Sequence, residues 1–189
     1  MNPYCKILPK SIVVILTTTM LFSCTNDAKE VRDFLAEKNL PIGIAKDAVH
    51  LYKDSGYVTS KLETSLMYDF SNRKLHPYSE FPDGIIITNY ENKGMDSVKI
   101  SGKYALSYKN TLLSEIKGNV VVRNYSDNSV LKTEQLFWDQ STNYFFSEKP
   151  FVLSTNSNTI KGVGFESKED LTKWISKKIS GDITTQEDE

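Results

Sequence analysis

Cysteine is almost missing from this chain, with Cys5 and Cys24 the only two among 189 residues. Both stand in the first 24 positions, so the chain beyond Cys24 has no thiol for a disulfide, a structural zinc or a nucleophile. The fold must therefore stand on its core alone. Histidine is nearly as scarce: His50 and His76 are isolated, and neither sits in a spacing that suggests a metal ligand or a general base. Serines are plentiful, yet no G-x-S-x-G motif frames any of them. Charge of one sign is also lacking, since 23 basic residues meet 24 acidic ones. With no basic stripe to neutralise phosphates, a nucleic-acid partner is excluded.

What is present begins with a membrane signal. Lys6 and Lys10 form a basic head, residues 11–22 (SIVVILTTTMLF) an apolar stretch, and Leu21-Phe22-Ser23-Cys24 follows directly. That ending resembles a bacterial lipobox, which implies cleavage before Cys24 and acylation of its thiol and amino group. Residues 1–23 are then a lipoprotein signal peptide and Cys24 the lipid anchor. Removing them takes away two lysines and leaves 21 basic against 24 acidic residues, a net of −3. A single N-terminal transmembrane helix is the other reading, although the run falls short of the roughly 20 apolar residues that spanning needs. Either way the bulk of the chain lies outside the cytoplasm.

Residues 24–47 read as a membrane-proximal stalk. Within it, Val31, Phe34 and Leu35 have helical spacing, with Asn26 or Asp27 as N-cap and Pro41 as a stop. A solvated linker accounts for the same charge density. From Ala48 the period shortens to two. Short alternating segments are broken by turn clusters at residues 53–56, 71–74, 91–96, 110–111, 124–129, 139–143 and 155–158. Short strands recurring this regularly favour an all-β sandwich or barrel over any βαβ plan. A faint internal repeat runs through them: Met67-Tyr68-Asp69 returns as Phe137-Trp138-Asp139, residues 78–82 as 146–150, and Ile100-Ser101-Gly102 as Ile160-Lys161-Gly162. Asp69 and Asp139, at matching places of the repeat, are expected to form Asx-turns. At the end, Ser167-Lys168-Glu169-Asp170 looks like a capping box. Leu171, Trp174, Ile175 and Ile179 share one helical face behind it, so an amphipathic C-terminal helix and an acidic tail are predicted over residues 168–189.

The order GNVVVRN (residues 118–124), LKTEQLFWD (131–139), SEKPFVL (147–153) and IKGVGFES (160–167) resembles the LptC family of lipopolysaccharide-export proteins and its organic-solvent-tolerance relatives. Gly118, Asn119, Val120, Val121, Val122, Leu131, Thr133, Glu134, Leu136, Trp138, Asp139, Ile160, Gly162 and Gly164 stand at the places of the family pattern, and residues 52–56 resemble its opening turn. The resemblance covers about residues 49–167. It departs from the best-known members at the start, where a lipobox replaces a transmembrane helix.

That resemblance implies a folded-over antiparallel β-jellyroll over residues 48–167, binding the lipid A acyl chains of lipopolysaccharide in an apolar groove. The protein would sit on the periplasmic side of the inner membrane of a Gram-negative bacterium. It would take lipid from an ABC transporter and pass it to a periplasmic bridge protein of like fold, with no cofactor, no metal and no catalysis. Inward apolar positions are the groove candidates: Leu62, Leu66, Tyr68, Ile85, Ile87, Leu106, Val120, Val122, Leu136, Trp138, Phe146, Phe151 and Leu153. An ordinary core residue would read identically, because parity does not say which face of a strand looks inward. The first strands would face the transporter, and Ile160, Gly162 and Gly164 would form the bridge-protein edge, used by strand addition; a bulge or turn is the other reading of both glycines. A structural or adhesive surface lipoprotein, making β-edge contacts without lipid, is the alternative function.

Overall fold

The computed structural model describes residues 27–91 and 96–180. The signal segment, Cys24 and the acidic tail lie outside the described residues. Among those residues there is one helix, α1 (Ala28–Glu37), followed by eleven strands. They are β1 (Gly43–Asp54), β2 (Tyr57–Phe70), β3 (Tyr78–Phe81), β4 (Ile85–Glu91), β5 (Asp96–Gly102), β6 (Tyr104–Tyr108), β7 (Leu113–Asn124), β8 (Val130–Asp139), β9 (Tyr144–Ser154), β10 (Thr159–Lys168) and β11 (Trp174–Ser180). All eleven join one sheet, and every pairing is antiparallel.

Helix α1 starts where Asp27 accepts a hydrogen bond from the Lys29 N–H at 2.9 Å. It ends before Pro41 is reached, because Asn39 takes a left-handed φ of 57° and the Leu40 N–H returns to Leu35 O at 2.8 Å. Strand β1 then begins at Gly43, ahead of the boundary expected at Ala48.

The sheet closes on itself because nearly every tier bends at the same level. Asp47 in β1, Gly84 ahead of β4, Gly118 and Asn119 in β7 and Gly164 in β10 all carry positive φ. The register slips between Lys117 and Val120, between Thr133 and Phe137 and between Val163 and Phe165. Pairing places these irregularities side by side: Ile85 opposes Gly102, Val120 opposes Thr133, and Val163 opposes Pro150. Bulges lined up across a sheet make a crease, and the crease folds it into two layers.

In β8 and β10 the bend also flips the inward parity, whereas β7 and β9 keep theirs through it. In β8, Leu131 and Thr133 face inward before it and Leu136 and Trp138 after it. One layer supplies Ile87, Ile100, Val122, Leu131 and Leu153; the other supplies Phe81, Ala105, Ile116, Leu136, Trp138 and Phe145. These meet as a single core in which Ile100, Ile116, Val122, Leu136 and Phe145 have no exposed surface. The result is an all-β, jellyroll-like domain.

The C-terminal helix is not formed. Residues 168–173 make a turn, Leu171 takes a φ of 61°, and Asp170 accepts from the Thr172 N–H and hydroxyl at 3.0 and 2.6 Å. Beyond it β11 pairs with β10 from Trp174 to Ser180. The helical spacing of Leu171, Trp174 and Ile175 was outweighed by the unpaired edge of β10, which satisfies the backbone of β11 and lets Trp174 stack on Phe165 at 6.3 Å between ring centroids.

Candidate lipid groove between the layers

Opposite the crease, the free ends of the two layers come together, and a cavity of about 290 Å³ lies between them. Leu62, Phe81, Ile85, Ile87 and Trp138 give it an apolar wall. Ser60, Asn89, Ser107, Ser114, Gln140, Asn143 and Glu169 form a polar rim. Its volume stands at the lower end of small-ligand sites, about 300–1,000 Å³. Larger hollows of about 510 and 630 Å³ lie on the outer surface and are more open to solvent.

The rim is held by two hydrogen-bond chains. Ser60 donates to Asn89 Oδ1 at 2.8 Å, and the Asn89 amide donates to Glu169 Oε1 at 2.7 Å. The second Glu169 oxygen accepts from Trp138 Nε1 at 3.1 Å. Gln140 Nε2 reaches Ser114 Oγ at 3.0 Å, which reaches Ser107 Oγ at 3.0 Å. Asn89 belongs to one layer and Trp138 to the other, so the Glu169 carboxylate straps the seam. The turn that carries it is itself held down: Asn124 Nδ2 donates to Asp170 O at 2.8 Å, the Glu169 N–H donates to Asn143 O at 3.0 Å, and Leu171 is buried in the core.

The groove candidates from sequence divide into three sets. Leu62, Ile85, Ile87 and Trp138 line the cavity. Val120, Val122, Leu136, Phe151 and Leu153 are inward but packed in the core. Leu66, Tyr68, Leu106 and Phe146 are half-buried outside that cluster.

For Leu66, Tyr68 and Leu106 the crease is the reason. Past Thr64 the inward position of β2 moves to Met67, which leaves Tyr68 against Phe70 and, through it, Tyr78 on the outer face. Leu106 shares an outer hollow with Tyr78, Glu80, Tyr104 and Tyr108, while its neighbour Ala105 is buried. There, burial and the Glu80 carboxylate raise the pKa of Tyr104, whose hydroxyl donates to Glu80 at 2.8 Å. Phe146 stacks on Phe137 outside, at 5.0 Å, while Phe145 points in.

The edge expected at Ile160, Gly162 and Gly164 is not an edge, because β11 covers β10. Ile160 is buried. A Cβ on Gly162 would stand 2.7 Å from the Phe151 ring and 2.5 Å from Lys178 O, so this glycine lets two strands and a core ring close up. Among the described residues the free edges are β1, which pairs only with β2, and β11, which pairs only with β10. Both are rich in exposed apolar side chains: Ile44, Val49, Leu51 and Tyr52 on β1, Ile175 and Ile179 on β11.

Sequence reasoning missed the polar rim. Asn89 could have been found, since it continues the inward parity of Ile85 and Ile87. Glu169 could not, because its surroundings imitate a helix cap. Among the described residues no helix is long and apolar enough to cross a membrane.

Against known families, the profile described as lipopolysaccharide-assembly, LptC-related, matches residues 12–174. Among curated individual proteins, none matches the chain.

Proposed function

Because the chain belongs to the LptC-related family of lipopolysaccharide-assembly proteins, we propose that it is a non-enzymatic carrier that receives lipopolysaccharide acyl chains between the two layers of its sheet. The observation that carries this reading is the seam cavity. Both layers line it, its wall is apolar, and its rim offers hydrogen-bond donors and acceptors at the mouth. An acyl chain needs apolar surface and no chemistry, and a two-layer sheet can supply that surface by parting at its seam.

In this reading Cys24 holds the protein to the periplasmic side of the inner membrane by its lipid anchor. The β1 edge faces the ABC transporter that supplies the lipid, and the β11 edge faces a bridge protein of like fold. Strand addition suits both, since each presents an unpaired backbone row beside apolar side chains. The energy comes from the transporter, so the domain needs no nucleotide.

The test is photocrosslinking from Trp138, which lines the cavity, and from Val122, which is fully buried, in cells exporting lipopolysaccharide. A lipopolysaccharide adduct at Trp138 is expected, with a weaker one at Val122. Labelling of protein partners alone would overturn the carrier reading in favour of a structural surface lipoprotein.

A further inference from the structure

Helix α1 buries none of its residues, yet it carries Val31 and Phe34 with about half their surface in solvent. It is fixed to one end of the domain. Arg73 Nη1 donates to Ala36 O at 2.9 Å, Asn72 Nδ2 to Leu40 O at 3.2 Å, and the Ile42 N–H to Asp69 O at 2.8 Å. These bonds join α1 to the turn between β2 and β3, residues 71–77, whose Leu75 is 80% exposed. That turn is joined in its own right to the turn between β6 and β7. The Lys109 N–H donates to Pro77 O at 3.0 Å, its ammonium meets Asp69 at 3.2 Å, and the exposed Leu112 follows. Val31, Phe34, Leu40, Leu75 and Leu112 thus project from three connected segments at one end of the sheet, with Arg73 and Lys74 directly before Leu75.

The chain itself says what lies beyond that end. Cys24 and the apolar residues 11–22 stand immediately before Asp27. Three residues span at most about 11 Å when extended, so a membrane attachment at Cys24 brings the start of α1 to within about that distance of the headgroups. Amphipathic helices that lie on a bilayer bury their apolar face by about 5–10 Å. An apolar end so close to the surface needs little movement to enter it.

We propose that this end of the domain, α1 with the turns at residues 71–77 and 109–112, seats on the phospholipid surface. Phe34, Leu40 and Leu75 enter the interface, and the exposed Lys74 lies at headgroup level. The inference rests on the reading that the N-terminal segment attaches the chain to the membrane. It adds a second contact, which fixes the tilt of the sheet above the bilayer where an anchor alone would leave the domain to swing. Charge does not drive it, since Glu30, Asp33 and Glu37 on α1 offset Lys29, Arg32 and Lys38.

The full-length chain, expressed in a Gram-negative host with p-benzoylphenylalanine at position 34, 75 or 163, tests this by ultraviolet irradiation and mass spectrometry of adducts. Val163, exposed at the crease and so opposite the free ends of the layers, is the control. Phospholipid adducts at least fivefold more abundant at 34 and 75 than at 163 are expected. Adducts to protein alone at 34 and 75 would overturn the seat and make this end a protein interface. A chain that sediments with membranes but gives equal lipid labelling at all three positions would overturn the seat and leave the attachment standing. A chain released from membranes in salt-free buffer would overturn both.

Discussion

Asp69 and Asp139 close the corresponding turns of the two halves of the sheet. Asp69 accepts from the Ser71 N–H at 2.8 Å, and Asp139 from the Ser141 N–H at 2.9 Å and hydroxyl at 2.6 Å. At Asp69 burial pushes the pKa up, but the Ser71 bonds and the Lys109 ammonium outweigh it and hold the carboxyl below its ordinary range. At Asp139 the Ser141 hydroxyl leads the same lowering. A folded-state pKa below the unfolded one, about 3.9 for Asp, adds stability that is fully present above that value and is lost as pH falls through the folded pKa. The urea midpoint should therefore stay level from pH 7 to about 5 and drop below about pH 4. The Asp69→Asn/Asp139→Asn pair, which keeps an acceptor for each turn but no charge, should show a shallower acid drop.

These Asx-turns were legible in the sequence because the cause is local. The neighbouring threonines were not. Thr64 Oγ1 lies 2.8 Å from Gly84 O, and Thr133 Oγ1 lies 2.9 Å from Pro150 O. Each hydroxyl ties its strand to the next tier at the crease. Their partners are distant in sequence, and Gly84, not Pro82, proves to be the counterpart of Pro150.

Among whole elements, the strands between β1 and β10 follow from alternation and turn chemistry, which act over a few residues. What alternation could not give is the inward face beyond each bend. The inward parity of Val98 and Ile100 passes to Ala105 beyond the bend, which turns Leu106 outward, whereas Phe146 lies on the outward parity that β9 keeps on both sides. The last element shows the same limit more strongly. Residues 174–180 have a helical pattern and become a strand because β10 offers an edge, a tertiary cause that no local period carries.

The repeat of Ile-x-Gly marks where this matters. A Cβ on Gly102 would stand 2.4 Å from Ile116 Cγ2, as one on Gly162 would crowd Phe151. Both glycines serve close packing beside the crease. Gly162→Ala should therefore destabilise the domain by about 1–3 kcal/mol, as overpacking does. Amide hydrogen exchange in residues 174–180 should speed up along with a lower melting temperature. Unchanged exchange there would mean that β11 holds on without the close approach to Gly162.

For the whole molecule, the two-layer sheet has one side that is covalently and structurally closed and one that is only strapped. At the crease every tier continues from layer to layer through its own backbone. At the seam, Glu169 joins Asn89 to Trp138, and Asn124 holds Asp170. Hydrogen bonds to a charged group contribute about 1.5–3 kcal/mol each, a sum that a lipid burying several methylenes at about 0.8 kcal/mol apiece can exceed. A cavity of about 290 Å³ is small for a multiply acylated lipid, so loading should require the seam to part. This predicts a specific block. In a Cys5→Ser background, cysteines at Asn89 and Glu169 bridged by a short cleavable bis-maleimide should lower the lipopolysaccharide adduct at Trp138 at least tenfold, and reductive cleavage of the linker should restore it. Each single cysteine variant should load at least as well as the parent, because it loosens the strap without locking it. The chain suits the experiment, since no cysteine follows Cys24. Full loading with the bridge in place would mean that lipid enters along the β1 and β11 edges and that the Glu169 strap never opens.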